Sequence, residues 1–153
     1  MIRPMTEADF PSVYELVKAT GTLDVHTPYT YWVMLNLRTE LTLVCERDGQ
    51  MAGFVAGLAP FRELDEALVW QIGVWPHLQR RGVGAELIEA FTASALSQGF
   101  RYLCATITPS NQPSLQFFSA LADRSGTDMQ QSGVTGSMRG HMREETIYRI
   151  AIA

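Results

Sequence analysis

The apolar run Leu68-Val-Trp-Gln-Ile-Gly-Val74 stops at Trp75-Pro76, and a basic, glycine-spaced turn follows, Gln79-Arg80-Arg81-Gly82-Val83-Gly84-Ala85. Beyond it Val83, Leu87, Ile88, Phe91 and Ala95 fall on one helical stripe, with Glu86 and Glu89 off it, and Gly99 marks the end. A buried strand, a tight turn and a helix that must pack back on the strand already commit the chain to a layered α/β fold. Gly82 and Gly84 let the backbone turn closely. The amides at the helix start have no intrahelical partner and carry the positive end of the dipole. Together they form an anion cradle suited to a diphosphate, with Arg80 and Arg81 as cations beside it. The dinucleotide fingerprint G-x-G-x-x-G is absent, and no Gly-Lys-Ser/Thr follows as in a P-loop. The same residues would also serve an ordinary strand–turn–helix link.

The rest of the chain supplies further alternations of strand and helix. Ile2-Arg-Pro reads as a short strand, and Thr6 with Asp9 as a near-variant of the capping box ahead of a helix carrying Phe10, Val13, Tyr14 and Val17. A loop from Ala19 to Pro28 leads to a second helix with Tyr31, Trp32 and Leu35. Leu41–Glu46 and Met51–Leu58 are strand-like and joined through Asp48-Gly49, a strong hairpin signal. Tyr102–Ile107 is a strand, Asn111–Ala122 a helix with Pro113 in its first turn, and Glu145–Ile152 a final strand. The tract Gly126–Gly140, rich in Gly, Ser, Gln and Met, reads as a mobile loop holding one short strand. The order β-α-α-β-β-β-α-β-α-(β)-β contains no repeat or linker, so residues 1–153 are expected to form one domain around a mixed sheet.

Composition narrows the partners. Hydrophobic residues make up 46% and charged ones 18%, as in a soluble globular protein. A formal net charge of -4 with no basic face argues against nucleic acid. There is no signal-peptide core at the amino terminus and no apolar run of membrane-spanning length. Cys45 and Cys104, both in apolar runs, read as buried thiols of a reducing, cytoplasmic compartment, although spacing alone leaves a disulfide open. No His/Cys grouping has metal-ligand spacing, so no metal is expected.

The pattern Q-x-x-G-x-G after a strand, together with the element order, resembles the GNAT N-acetyltransferases over nearly the whole chain. That resemblance implies the GNAT acyl-CoA fold, in which two adjacent parallel strands, here Leu68–Val74 and Tyr102–Ile107, splay apart around acetyl-CoA. It implies that Val74 donates its backbone N–H to the developing oxyanion. Gln79, Arg80, Arg81, Gly82, Val83, Gly84 and Ala85 would hold the diphosphate, and Asn111 and Ser114 would contact the pantetheine arm or position water. A narrower resemblance lies in Leu23-Asp24-x-x-x-Pro28-Tyr29-x-Tyr31, Gly53-Phe54-Val55, Val69-Trp70-Gln71, Thr106-Ile-Thr-Pro109-x-Asn111-x-x-Ser114 and His141-x-x-Glu144. These blocks look like the diaminobutyrate acetyltransferases of ectoine biosynthesis, which acetylate the 4-amino group of L-2,4-diaminobutyrate. They imply Asp24, Trp70 and Tyr31 as substrate-binding residues, a pocket lined by His141 and Glu144, and a homodimer. His26-Thr27 departs from that group, which usually has Asn-Ser there, and Gly126–Gly140 is unusually rich in Gly and Ser for it.

The chemistry makes its own demands. An alkyl ammonium with a pKa of about 10.4 is neutral in only about one molecule in ~2,500 at pH 7, a cost of ~4.6 kcal/mol. A base that takes the proton, directly or through water, contributes about 10²–10⁴-fold. Glu144 and His141, just before the last strand, are the candidates for it. A substrate with two ammonium groups needs an acid such as Asp24, and the face of Trp70 can stack on a cation. The leaving thiolate wants a proton, yet Phe117-Phe118 stand where many GNAT enzymes have a tyrosine, so either another group such as Tyr31 or Tyr148 supplies it or the thiolate leaves unaided. Two other readings stay open. One is acetylation of another small amine or a peptide amino terminus, and the other is a non-catalytic acyl-CoA-binding domain.

Overall fold

A computed structural model describes residues 1–153. Along the chain come β1 (Ile2–Pro4), α1 (Phe10–Thr20), α2 (Pro28–Leu37), β2 (Thr42–Arg47), β3 (Gln50–Leu58) and β4 (Glu66–Val74). They are followed by α3 (Val83–Ser97), β5 (Tyr102–Ile107), α4 (Gln112–Arg124), β6 (Met129–Val134) and β7 (Thr146–Ala151). The strands form one seven-stranded sheet in the order β1-β2-β3-β4-β5-β7-β6. Only β4 and β5 run parallel.

Each face of the sheet has its own core. Leu43, Val55, Val69, Leu103, Ala105 and Ile107 point to the side covered by α3 and α4, where Leu87, Ile88, Phe91 and Leu121 meet them. Phe54 and Ala56 point to the other side, against Val13, Leu16 and Val17 of α1 and Tyr31 and Met34 of α2. Phe91 lies so close on β3 that a Cβ at Gly57 would stand 2.4 Å from its ring. Cys45 and Cys104 are both free and buried, and they lie on different strands of the sheet.

The β3–β4 ladder carries a bulge. Ala56 opposes Gln71 while Gly57 opposes Val69, so Trp70 is the extra residue. A bulge shifts the alternation of side chains by one. Without it Trp70 and Gln71 would face opposite ways. With it, Trp70 packs toward the α1–α2 core and Gln71 opposes Ala56, whose side chain faces that same core.

The parallel pair β4–β5 is short. Its register comprises Glu66↔Tyr102, Ala67↔Leu103 and Leu68↔Cys104, after which the strands part. β5 remains paired to β7 as far as Ile107, and β4 to β3 as far as Val74. The closed end of this V is fastened from β7. Arg149 reaches across β5, with its guanidinium 3.5 Å from the centroid of the Tyr102 ring and Nε 3.3 Å from Glu66 Oε1. At the other edge of the sheet Arg3 binds both carboxylate oxygens of Asp9, each at 2.8 Å, and also reaches Glu46. Asp9 in turn accepts the Thr6 N–H at 2.8 Å, which completes the capping box read from sequence.

The Gly126–Gly140 tract holds the one short strand expected of it, β6. β6 pairs along β7 from Met129 to Val134, with a register shift between Gln131 and Gly133. It is an exposed edge strand with polar residues on both faces, so no apolar alternation announces it.

Candidate active site

Where β4 leaves β5, a cleft of about 630 Å³ opens between the end of β4, the start of α3, the start of α4 and the end of α1. Ile72, Gly73 and Val74 form its floor, and Gln79, Arg80, Gly82, Gly84 and Ala85 its basic end. Asn111, Ser114, Phe117 and Phe118 form the α4 wall. Trp75 N–H donates toward β3, to Ala52 O at 3.1 Å. In an extended strand the preceding N–H points the opposite way, so that of Val74 faces into the gap vacated by β5.

The turn before α3 is built as a cradle. Arg80 and Gly82 both have left-handed backbone, at φ 61° and 87°. The first helical bond is that of Glu86 N–H to Gly82 O, at 3.0 Å, so the N–H groups of Val83, Gly84 and Ala85 precede the intrahelical ladder. A Cβ at Gly84 would lie 3.2 Å from the Phe117 ring, so a side chain there would push that ring back by a few tenths of an ångström. Gln79 Nε2 donates to Val74 O at 3.3 Å and ties the turn to the floor of the cleft. A cradle of free amides with Arg80 beside it and an apolar wall behind fits the diphosphate and arm of acetyl-CoA. At the far end of the wall Asn111 Oδ1 caps α4 by accepting Ser114 N–H at 3.2 Å.

The α1–α2 side of the gap carries a second group of residues. Tyr31 is 1% exposed, and its hydroxyl donates to Gln71 Oε1 at 2.5 Å. Gln71 Nε2 then donates to the backbone carbonyl of Asp24 at 3.0 Å. Burial pushes the Tyr31 phenol up to about 12, so it stays protonated as a donor. Trp70 stands between the Tyr31 ring at 5.9 Å and the His26 ring at 4.7 Å. From the β7 side Glu145 turns inward, and its Oε2 accepts Thr106 Oγ1 at 3.4 Å. Burial holds the Glu145 carboxyl above the usual range; the Thr106 hydrogen bond opposes that shift and the charge of Asp24 adds to it.

The expected residues thus fall into distinct places. Val74, Gln79, Arg80, Gly82, Gly84, Ala85, Asn111 and Ser114 line one cleft. Arg81 is exposed and outside that lining, and the Val83 side chain belongs to the core at 2% exposed. Asp24, Tyr31 and Trp70 meet on the α1–α2 side, where Tyr31 acts through Gln71. His141 and Glu144 lie in the exposed approach to β7 and make no side-chain hydrogen bond. No tyrosine lines the cleft: Tyr31 is engaged with Gln71, and Tyr148 packs against the α3–α4 core. Two residues were assigned no role from the sequence. Gln71 is the buried polar residue inside an apolar strand, which was its visible signal. Glu145 is distinguished from Glu144 only by direction.

Splayed parallel strands, a glycine cradle at a helix start and a facing pocket of acid and aromatic residues define a cosubstrate-dependent acyltransferase site. Residues 10–122 match the acetyltransferase (GNAT) family, and the chain belongs to that family. Among its relatives it is 33% identical over 127 residues to the L-2,4-diaminobutyric acid acetyltransferase of Marinococcus halophilus, covering 83% of this chain and 73% of that protein. It is 32% identical over 152 residues to the enzyme of the same name from Chromohalobacter salexigens, covering 97% and 79%. Among solved structures it is similar to the diaminobutyrate acetyltransferase EctA from Paenibacillus lautus in complex with L-2,4-diaminobutyric acid and coenzyme A. That likeness has a TM-score of 0.85 at 23% identity and covers 99% of this chain and 93% of that one. Ard1 from Thermoplasma volcanium gives the same TM-score, 0.85, at 18% identity over 100% and 97%. The structural likenesses therefore establish the fold, and the sequence relatives carry the finer assignment.

Proposed function

We propose that this chain transfers acetyl from acetyl-CoA to the 4-amino group of L-2,4-diaminobutyrate, the step that serves ectoine biosynthesis. The observation that carries this reading is the similarity to named diaminobutyric acid acetyltransferases along almost the whole chain. The site geometry supports it. Acetyl-CoA lies in the cleft, with its diphosphate on the amides of Gly82 to Ala85 and its thioester at the gap. The diamino acid enters from the α1–α2 side, where Asp24 meets an ammonium group and Trp70 covers the chain. His141 and Glu144, in the exposed approach to β7, take the proton of the attacking amine through water. The free amine attacks the thioester carbon, Val74 N–H stabilises the oxyanion, and the thiolate departs. One such backbone donor is worth about 2.7–4 kcal/mol.

A second copy of the chain is proposed as partner. Val25, Tyr29, Trp32 and Leu37 are exposed along α2 and its approach, and the Tyr29 and Trp32 rings stack at 6.0 Å. Such a patch on a helix face is characteristic of an interface. No helix is long and apolar enough to cross a membrane. The free thiols support a reducing compartment, the cytoplasm.

Thiol release from acetyl-CoA with L-2,4-diaminobutyrate, ornithine, lysine, a polyamine and a short peptide tests the reading, with NMR locating the acetyl group. Turnover confined to diaminobutyrate at its 4-nitrogen supports it. Preference for a peptide amino terminus, or acetyl-CoA binding without any turnover, overturns it.

A further inference from the structure

The first turn of α3, where the amide cradle lies, also carries an acid, Glu86. Side chains on a helix lean toward its N-terminus, and this one turns back over the cradle. A Cβ at Gly82 would have Glu86 Oε1 as its neighbour, at 4.0 Å. A carboxylate there is drawn to the positive end of the helix dipole, the same end that suits a diphosphate. It stands beside Arg80 and Arg81 in the chain, whose guanidinium groups are natural partners for it. Yet neither Arg80 nor Arg81 makes an ion pair within the chain. Glu86 is engaged instead by Arg47, whose Nη2 donates to its Oε1. Arg47 is the last residue of β2 and lies outside the lining of the cleft. The approach is set by Gly53 on β3, where a Cβ would stand 3.0 Å from Val83 Cγ1 and 3.1 Å from Leu87 Cδ1. The bare glycine lets the start of α3 settle on the sheet, which brings Glu86 beside the end of β2.

We propose that Arg47 is a positioning residue for acetyl-CoA: by holding and neutralising Glu86 it keeps the start of α3 and the two cradle arginines open to the diphosphate. The proposal rests on the placement of the diphosphate given above and adds to it a residue outside the cleft. Arg47 touches no part of the coenzyme and acts only through Glu86. Unpaired, Glu86 sets a negative charge beside a ligand group of the same sign and competes with it for Arg80 and Arg81. Paired, the two side chains bring no net charge to the cradle. Both are partly exposed, at 38% for Arg47 and 46% for Glu86, so the effect is modest and salt screens it.

The test titrates acetyl-CoA into the parent and its variants by calorimetry, at low and at high salt, with thermal melts alongside. Arg47→Ala weakens binding about threefold at low salt, the scale of an exposed charge pair, and the loss shrinks at high salt. Glu86→Gln binds at least as tightly as the parent. The double variant Arg47→Ala with Glu86→Gln returns to the affinity of Glu86→Gln alone, because the charge to be neutralised is gone. Arg47→Lys, which keeps the charge, recovers most of the loss. Unchanged affinity in Arg47→Ala overturns the inference. A double variant as weak as Arg47→Ala also overturns it, since Arg47 would then act on the coenzyme itself. A loss of equal size at both salts, with a lowered melting temperature, assigns the pair to structure and overturns it as well. A parent that binds acetyl-CoA no more tightly than S-acetylpantetheine, which lacks the diphosphate, removes the underlying placement instead, and this inference with it.

Discussion

The hydroxyl of Tyr31 on α2 donates a 2.5 Å hydrogen bond to Oε1 of Gln71 in the middle of β4, and the amide end of that glutamine holds the carbonyl of Asp24. A helix, the central strand and the loop bearing Asp24 are thereby joined through one buried side chain, which is 6% exposed. The bulge at Trp70 makes this possible, because it turns Gln71 toward α2 and leaves Trp70 on the same side.

Tyr31→Phe leaves Gln71 Oε1 buried without its donor. The expected loss of stability is about 1–3 kcal/mol, the cost of an unsatisfied buried acceptor. The loop bearing Asp24 loosens, so KM for diaminobutyrate rises while acetyl-CoA affinity is unchanged. Urea melts and steady-state kinetics read both effects, and a rise in the acetyl-CoA dissociation constant would show that the link serves the cleft instead.

Arg80 lines the cleft beside the amide cradle and Arg81 does not. Arg80→Glu should weaken acetyl-CoA binding by about 1.5–3 kcal/mol, the worth of a charge-assisted hydrogen bond. Arg81→Glu should weaken it much less, and more so at low salt, as a screened exposed charge does. Calorimetry at two ionic strengths separates them, and equal losses would place both guanidinium groups on the diphosphate.

Glu144→Gln should lower kcat by about 10²–10⁴ if that carboxylate takes the amine's proton, with acetyl-CoA binding preserved. His141→Gln should reduce turnover in the same direction. Unchanged kcat in Glu144→Gln takes that residue out of the chemistry.

Cys104 is 1% exposed, and burial, followed by the negative charge of Glu66, pushes its thiol up to about 12 from 9.0. Burial pushes Tyr31 up to about 12 from 10.0. Both groups keep their protons in the folded state at pH values where the unfolded chain has lost them. Their stabilising contribution is complete below pH 9.0, starts to fall first through Cys104, and from pH 10.0 falls through Tyr31 as well. Stability against urea should therefore decline above pH 9. Cys104→Ser should flatten the first part of the decline and leave the second. The same burial makes the native thiol inert to alkylation at pH 8, and rapid labelling there would contradict it.

Much of this arrangement was written in local patterns. The strand, the glycine turn and α3 follow from residues adjacent in sequence, and so do the Asp48-Gly49 hairpin and the Asn111 cap. The substrate side was legible as separate blocks but not as an assembly. The bulge at Trp70 depends on register with β3, a long-range choice that leaves no mark in the run Leu68–Val74. The inward turn of Glu145 is set by its backbone bonds to Thr135, just past the polar edge strand β6, which itself gave no periodic signal. Arg80 and Arg81 were equivalent as letters, and the left-handed backbone at Arg80 separates them. The phenol expected near the thiolate is missing from the cleft for an equally non-local reason, since both candidate tyrosines are committed to packing elsewhere.

The three-residue pairing of β4 with β5 leaves the most central strand of the sheet with backbone amides that no neighbouring strand protects. In a ladder sealed on both sides, such protons would exchange with solvent only on global unfolding. Those of Ile72 and Val74, in the most central strand, are expected to exchange with solvent without global unfolding, and to slow when acetyl-CoA binds if it fills the slot as proposed.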